Sequence, residues 1–142
     1  MSSEMMTFEV AASRIDSSGS LVHSKQVELK IDTSMAGRLD ALNPVELLLA
    51  ALSACMIKGI ERVAGTLGVE YHSVRVALKA HRPVDEARID DITYEIRIGT
   101  VADQAKLDLL HKNLMKFGTI YNTVKSGTRL SGSIVADVDG AA

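Results

Sequence analysis

The sequence predicts an α+β fold in which antiparallel strands surround one long apolar helix. Alternating apolar and polar residues indicate strands near the amino terminus and again in the middle of the chain. Between these two groups lies an apolar run that opens with a helix-initiating sequence. Because the strands come in groups instead of alternating singly with helices, the pattern favours α+β over a parallel α/β architecture.

The composition is that of a globular protein, and we expect a single domain spanning residues 1–142. Hydrophobic residues make up 46% of the chain and charged residues 24%. A net charge of -2 provides no general positive field for nucleic acid or anionic membranes, so neither partner is expected. The four histidines and the one cysteine show no metal-ligand spacing, and we expect neither a metal nor a cofactor.

The chain carries no recognisable targeting or membrane segment. Its first residues lack the basic and apolar regions of a secretory signal. The central apolar run ends at Lys58, short of the roughly 20 residues that a membrane span needs. We therefore expect a cytoplasmic protein.

The first third of the chain predicts a hairpin followed by a loop. Phe8, Val10 and Ala12 alternate with their neighbours as in a strand, and residues 16–20 have the composition of a turn. A second strand is predicted over 21–31. Residues 33–42 show no clean period, which indicates a loop.

The central helix is predicted from Pro44 to about residue 66, ending at Gly65 or Gly68. Asn43 is a favourable N-cap, and proline suits the first helical position. Glu46 stands three residues after the cap, where its side chain can bond back in a capping box. The first half of this helix is apolar on nearly every side, which is typical of a buried helix.

The second half of the chain predicts two paired strands, a helix and a last strand. Alternation over 74–80 and 92–98 indicates an antiparallel pair. Thr100 with Asp103 resembles a capping box, and a helix ending at Gly118 follows. Its apolar positions are Leu107, Leu110, Leu114 and Phe117. Residues 119–128 are predicted as a loop, and the final strand is marked by Leu130, Ile134 and Val138.

Cys55 is the first candidate for chemistry. Lys58 and Arg62, three and seven positions further on, share its helix face. Nearby cations stabilise a thiolate, the form that a nucleophilic or redox cysteine requires. The alternative is a small hydrophobe packed on an apolar helix, and the pattern alone favours that interpretation.

Other polar residues have ordinary explanations as well. The capping box accounts for Glu46, although a carboxylate near the helix start is also able to orient a cation in a pocket. By pattern, Arg14 is a solvated charge and Tyr121 a loop residue. His81 and His111 are expected at the surface.

The segment NPVELLLAALSAC, residues 43–55, resembles the signature of the OsmC/Ohr family. The order of elements is similar over nearly the whole chain. The resemblance implies an OsmC-like fold with a long buried central helix, in an obligate, intertwined homodimer. It also implies reduction of peroxides, especially organic hydroperoxides, in oxidative stress defence. Cys55 matches the peroxidatic cysteine, whose thiolate attack leaves a sulfenic acid.

The sequence departs from that family at three positions. Gly118 stands where the second, resolving cysteine belongs, so an external thiol must resolve an oxidised Cys55. The family glutamate aligns with Val45. Glu46 is one residue on, about 100° around the helix. For the family arginine, Arg14 is the nearby candidate.

The leading hypothesis is a one-cysteine, thiol-dependent peroxidase. The candidate catalytic residues are Cys55, Arg14 and Glu46, and the candidate substrate-binding residues are Lys58 and Tyr121. The expected partners are a second copy of the chain, a small-molecule peroxide and an external thiol reductant. One alternative is a non-catalytic dimer of the same fold that binds a small apolar ligand or a partner. A cysteine hydrolase is a third, but it needs a histidine base that the sequence does not place beside Cys55.

Overall fold

A computed structural model describes residues 4–138 and shows the expected α+β fold. Its Cα packing separates two compact units, Met1–Leu48 and Leu49–Ala142, which are described in turn. In chain order the elements are β1 (Ala11–Asp16), β2 (Gly19–Ser24), β3 (Val27–Ile31), α1 (Pro44–Val63), β4 (Ser73–His81), β5 (Asp91–Gly99), α2 (Gln104–Phe117), α3 (Thr119–Val124) and β6 (Arg129–Ala136).

The first unit contains an antiparallel sheet in the order β1-β2-β3. The predicted turn after β1 is confirmed, because one carboxylate oxygen of Asp16 accepts hydrogen bonds from the N–H groups of Ser18 and Gly19. The single strand predicted over 21–31 was wrong. Lys25 adopts φ 55 and turns the chain, which makes β2 and β3 two paired strands.

The first strand also begins later than predicted. Ala11 pairs with His23 near the end of β2, and β2 turns at Lys25. Only Ser24 of β2 remains beyond His23, and its hydroxyl donates to the carbonyl of Glu9, so the ladder of β1 begins at Ala11. Phe8 and Val10 lie outside β1 with exposed side chains.

Asp32 organises the loop predicted over 33–42. One of its carboxylate oxygens accepts from the N–H and the hydroxyl of Ser34, and the other accepts from the N–H of Arg38. These bonds, led by that of the Ser34 hydroxyl, lower the pKa of Asp32 below its ordinary value. The Arg38 guanidinium in turn forms a two-point contact with Asp40.

Helix α1 begins with the predicted capping box. The Asn43 side chain accepts from the N–H of Glu46 at 2.9 Å, and the Glu46 carboxylate accepts from the N–H of Asn43 at 2.9 Å. The helix ends at Val63, slightly before the predicted stop, and Gly68 adopts φ 71 in the turn that follows. Among the helices of residues 4–138, none combines the length and apolarity that crossing a membrane requires.

The second unit holds a sheet in the order β4-β5-β6 and the main apolar core. The predicted antiparallel pairing of β4 with β5 is confirmed, while β6 runs parallel to β5. Apolar side chains of β5 and α2 pack together with Met56 and Ile60 of α1. The core residues of β5 and α2 are Tyr94, Ile96, Ile98, Leu107, Leu110 and Leu114.

Details around α2 correct the sequence prediction. The N-cap is Asp103, whose side chain accepts from the N–H of Lys106, whereas the Thr100 hydroxyl donates to the carbonyl of Glu70. Thr100 is thus used to tie two loops together. Phe117 is half exposed instead of lying on the buried face of α2, and Val138 follows the end of β6 with an exposed side chain.

The loop predicted over 119–128 begins with the short helix α3. Gly118 has an extended backbone (φ -79, ψ 110) that ends α2 and redirects the chain. Helical geometry then resumes, because Tyr121 inserts its side chain into the core and anchors one turn. The segment is too short for a helical period to be recognised in the sequence.

Candidate functional site

Cys55 lies on α1 with a partly buried side chain, facing the junction between α2 and α3. A Cβ atom placed on Gly118 would lie 3.4 Å from the Cys55 sulfur. The same point would lie 3.2 Å from the Cβ of Tyr121. The structure therefore brings together Cys55, Gly118 and Tyr121, which are far apart in the sequence.

Gly118 makes this close approach possible. A Cβ there would also lie 2.9 Å from the carbonyl oxygen of Leu114, so any larger residue requires a small backbone shift. Without a side chain, the corner between the two helices packs directly against the sulfur. Residue 118 is the position where the resemblance places a second cysteine, and it is adjacent to Cys55 in space.

Tyr121 connects this corner to a cleft. Its buried side chain lines a cavity of about 730 Å³, called here the Tyr121 cleft. The ammonium group of Lys125, also in the lining, lies 5.7 Å from the centre of the Tyr121 ring. The prediction of Tyr121 as a simple loop residue was wrong, and its place beside a cavity is compatible with the predicted substrate contact.

Tyr94 and His111 form a hydrogen-bonded pair at the edge of this region of the core. The Tyr94 hydroxyl and Nε2 of His111 are 2.7 Å apart, and the two rings meet edge to face at 83°. Burial, with a smaller contribution from Tyr121, raises the pKa of Tyr94 to about 12. Burial also lowers the pKa of His111. The sequence placed His111 at the surface, and the buried partner on another element was not visible from spacing.

The remaining candidates all have exposed side chains. Lys58 and Arg62 are exposed on α1, and neither forms a hydrogen bond or ion pair within residues 4–138. Arg14 is exposed on β1, and the carboxylate of Glu46 is engaged in the helix cap. Both belong to the first unit. Their catalytic roles remain predictions.

The arrangement is suited to single-thiol chemistry. Cys55 is the one cysteine in the sequence, so its sulfur has no partner in the same chain for a disulfide. The thiol is partly buried against the corner at Gly118, and Tyr121 of the same corner lines the cleft.

Solved structures share this fold at low sequence identity. An OsmC-like protein from Mycoplasma pneumoniae is 14% identical with a TM-score of 0.85, covering 92% of this chain and 97% of its own. An organic hydroperoxide resistance protein OsmC from Legionella pneumophila is 16% identical with a TM-score of 0.72, covering 93% and 98%. The organic hydroperoxide resistance protein OhrB of Bacillus subtilis is 16% identical with a TM-score of 0.68, covering 92% and 98%.

Sequence comparison gives the family directly. No curated protein sequence matches the chain. The family model described as OsmC-like protein matches residues 35–131, which include helix α1, Cys55 and Gly118. The match covers well over half of the chain, and the chain therefore belongs to the OsmC-like protein family.

Proposed function

We propose that the protein is a peroxidase that reduces organic hydroperoxides through Cys55 and is regenerated by an external thiol. The observation that carries the proposal is the partly buried Cys55 sulfur beside the Tyr121-lined corner of an OsmC-like fold. Two structural neighbours are named organic hydroperoxide resistance proteins, which supports the same chemistry.

The reaction proceeds in two steps. The Cys55 thiolate attacks one peroxide oxygen, the O–O bond breaks, and the other oxygen leaves as an alcohol after taking up a proton. This oxidises Cys55 to a sulfenic acid. An external thiol then attacks the Cys55 sulfur, releases water and forms a mixed disulfide. A second external thiol attacks this disulfide at the sulfur of the first thiol, which releases the Cys55 thiolate and a disulfide of the two external thiols. Arg14 and Lys58 are the proposed stabilisers of the thiolate.

The external thiol follows from the residue at position 118. A second cysteine there would lie close enough to Cys55 to resolve the sulfenic acid, but the residue is glycine. Low-molecular-weight thiols are abundant in the cytoplasm, which keeps cysteines reduced. We therefore place the activity in that compartment as part of oxidative stress defence.

We propose that the working form is a homodimer. The first unit exposes many large apolar side chains, which is typical of a surface that associates. They include Met5, Met6, Phe8, Val10, Ile15, Val27, Leu29, Met35, Leu39 and Leu42. Helix α1 buries only the stripe of Leu52, Met56 and Ile60, and it leaves other apolar residues such as Ile57 accessible.

Mass spectrometry tests the peroxidase directly. After stoichiometric cumene hydroperoxide, we expect Cys55 to gain one oxygen and to react with a sulfenic-acid trap, and Cys55→Ser to show neither. A Cys55 that remains fully reduced after many minutes would contradict the proposal and favour a ligand-binding dimer without catalysis.

A second cysteine tests how the sulfenic acid is resolved. Gly118→Cys should form a disulfide with Cys55 after peroxide treatment in the absence of any external thiol, because the second cysteine attacks the sulfenic acid and releases water. Gly127→Cys is the matched control, because only the Val124 carbonyl lies within 4 Å of its Cβ position. Equal disulfide yields in the two variants would refute the role assigned to position 118.

Sedimentation tests the dimer. Leu29 and Lys30 are neighbours on β3, and their side chains point to opposite faces of the sheet. We expect Leu29→Asp to weaken association strongly and Lys30→Asp to have little effect. A monomeric wild-type protein at micromolar concentration would rule out the homodimer.

A further inference from the structure

Gly59 is a glycine inside helix α1, one turn before the helix ends at Val63. Glycine in a helix interior is less stable than alanine, because it gives up more backbone freedom on folding. Close packing against a neighbouring element is a common reason to find it there. The neighbour is α2, since a Cβ atom on Gly59 would lie 2.7 Å from the Cδ2 atom of Leu114.

Leu114 occupies the space that a side chain at position 59 would need. Its Cγ and Cβ atoms would lie 3.8 and 4.0 Å from the added Cβ, so the overlap is with one methyl group. Leu114 is 6% exposed and belongs to the apolar core of the second unit. A methyl group in a close-packed core moves only by displacing its neighbours. We therefore expect alanine at position 59 to displace Leu114 together with its helix instead of turning the side chain aside.

The two helices meet a second time at the Cys55 sulfur. Cys55 lies one turn before Gly59 on α1, and Gly118 follows Leu114 by one turn at the end of α2. At this contact the glycine is on the other helix, and a Cβ atom on Gly118 would lie 3.4 Å from the sulfur. The same Cβ atom would lie 2.9 Å from the carbonyl oxygen of Leu114. Leu114 therefore takes part in both contacts, with its side chain at Gly59 and its backbone at Gly118.

The short distance between the two contacts couples them. One helical turn rises about 5.4 Å, whereas helices curve only gently over much longer distances. The helices therefore cannot separate at Gly59 and stay in contact at the sulfur. Gly118 also begins the corner that carries Tyr121, so a shift of Leu114 moves this corner as a whole.

We propose that Gly59 is a positioning residue: by admitting the side chain of Leu114, it holds the corner formed by Gly118 and Tyr121 against the Cys55 sulfur. Gly59 acts through Leu114 and does not touch the reacting atoms. The inference rests on the proposed peroxidase function only for the use made of this sulfur.

A disulfide across the second contact measures how closely the corner approaches the sulfur, because its Cβ atoms must lie about 3.5–4.5 Å apart. The reference is Gly118→Cys, whose disulfide with Cys55 is brought to equilibrium in glutathione redox buffers without any hydroperoxide. Adding Gly59→Ala should lower the equilibrium constant for this disulfide about tenfold, which corresponds to an ordinary cost of overpacking a core.

Two further variants identify the cause. Adding Leu114→Val to the Gly59→Ala protein removes the overlapping Cδ2 atom and should restore most of the equilibrium constant. Gly65→Ala in the Gly118→Cys reference is the matched control and should leave the constant unchanged, because no atom lies within 4 Å of its Cβ position.

Several results would overturn the inference. An equilibrium constant that Gly59→Ala does not change, whatever happens to the melting temperature, would leave Gly59 a purely structural role. The same holds for a loss that Leu114→Val does not restore, for an equal loss in Gly65→Ala, and for a reference in which no disulfide with Cys55 forms. If Gly59→Ala alone does not fold, the variant that also carries Leu114→Val decides: a reference-like disulfide supports the inference and a weakened one overturns it.

The peroxidase proposal is tested separately. Because no hydroperoxide enters this experiment, a Cys55 that is inert to cumene hydroperoxide ends the peroxidase proposal and leaves the role of Gly59 in place. A disulfide that is insensitive to Gly59→Ala ends the inference about Gly59 and leaves the peroxidase proposal in place.

Discussion

The two sheets of this protein have similar sequence patterns but very different surroundings. In the first unit, every residue of β1 is exposed, and β3 is exposed up to its last residue. In the second unit, β5 buries alternate residues completely, among them Ile92, Ile96 and Ile98. The difference is the apolar face of α2 and part of α1, which pack in the core with the second sheet. Alternation in a sequence thus predicts a strand, but burial depends on what covers it.

The largest expected effect is in the covered sheet. Leu110 is 0% exposed in the core, whereas Leu29 on β3 is 45% exposed. We expect Leu110→Ala to lower the free energy of unfolding by about 2–5 kcal/mol, because it removes buried surface and leaves a cavity. Leu29→Ala should cost about 0.5 kcal/mol or less in the monomer, and more when the dimer forms.

Urea denaturation at several protein concentrations measures both effects. The Leu110→Ala loss should be present at every concentration, and the Leu29→Ala loss should grow with concentration. A Leu29→Ala loss that did not grow with concentration would mean that this face of the first sheet is not buried by association, and it would contradict the dimer proposal.

The sequence predicts the elements that depend on local chemistry and misses those that depend on tertiary packing. The capping box at Asn43 and the alternation of β4 and β5 depend on local chemistry and were predicted correctly. The turn at Lys25 was missed, because a non-glycine residue with positive φ carries no clear signal. Helix α3 was missed, because its anchor is the tertiary packing of Tyr121.

The residues of the candidate site divide in the same way, into those with a local sequence signal and those placed by tertiary packing. Cys55 was found through the helix sequence around it, and the resemblance placed Gly118 at the position of the family's second cysteine, which the structure shows to be close to the Cys55 sulfur. The Lys125–Tyr121 contact and the Tyr94–His111 pair were not identified, because the partner lies on the preceding turn in the first case and on another element in the second. The partners of long side chains are decided by packing, which a periodic pattern does not specify.

Two glycines give the next largest effect. A Cβ on Gly132 of β6 would overlap the buried ring of Tyr94, while one on Gly19 of β2 would lie 2.7 Å from the end of the Arg38 guanidinium. A packed ring cannot move as a flexible guanidinium can. We expect Gly132→Ala to cost about 1–3 kcal/mol.

Gly19→Ala should cost clearly less than Gly132→Ala, although the carbonyl of Ile31 at 3.3 Å leaves little extra room. Thermal unfolding of both variants gives the comparison, with Gly65→Ala as the control, since no atom lies within 4 Å of its Cβ position. A larger loss at Gly19 would show that the Arg38–Asp40 contact is as rigid as the core.

The smallest expected effect is a difference in the pH at which the two units lose stability. Burial lowers the pKa of His111 in the second unit, and hydrogen bonds from Ser18 and Ser34 lower those of Asp16 and Asp32 in the first. A histidine whose folded pKa is depressed stabilises the fold fully above its unfolded value of about 6.5 and loses that contribution as the pH falls through the folded pKa. The two aspartates lose theirs only below about 3.8.

Hydrogen exchange resolved along the chain distinguishes these windows. Between neutral pH and pH about 5, protection should fall first in β5 and α2, which carry Tyr94 and His111, after correction for the intrinsic pH dependence of exchange. His111→Gln keeps a hydrogen-bonding side chain without the titration and should remove this early loss, leaving the loss below about pH 4 in the loop held by Asp32. If β1–β3 lost protection first in mildly acidic solution, the groups that control acid stability would lie in the exposed sheet instead of the covered one.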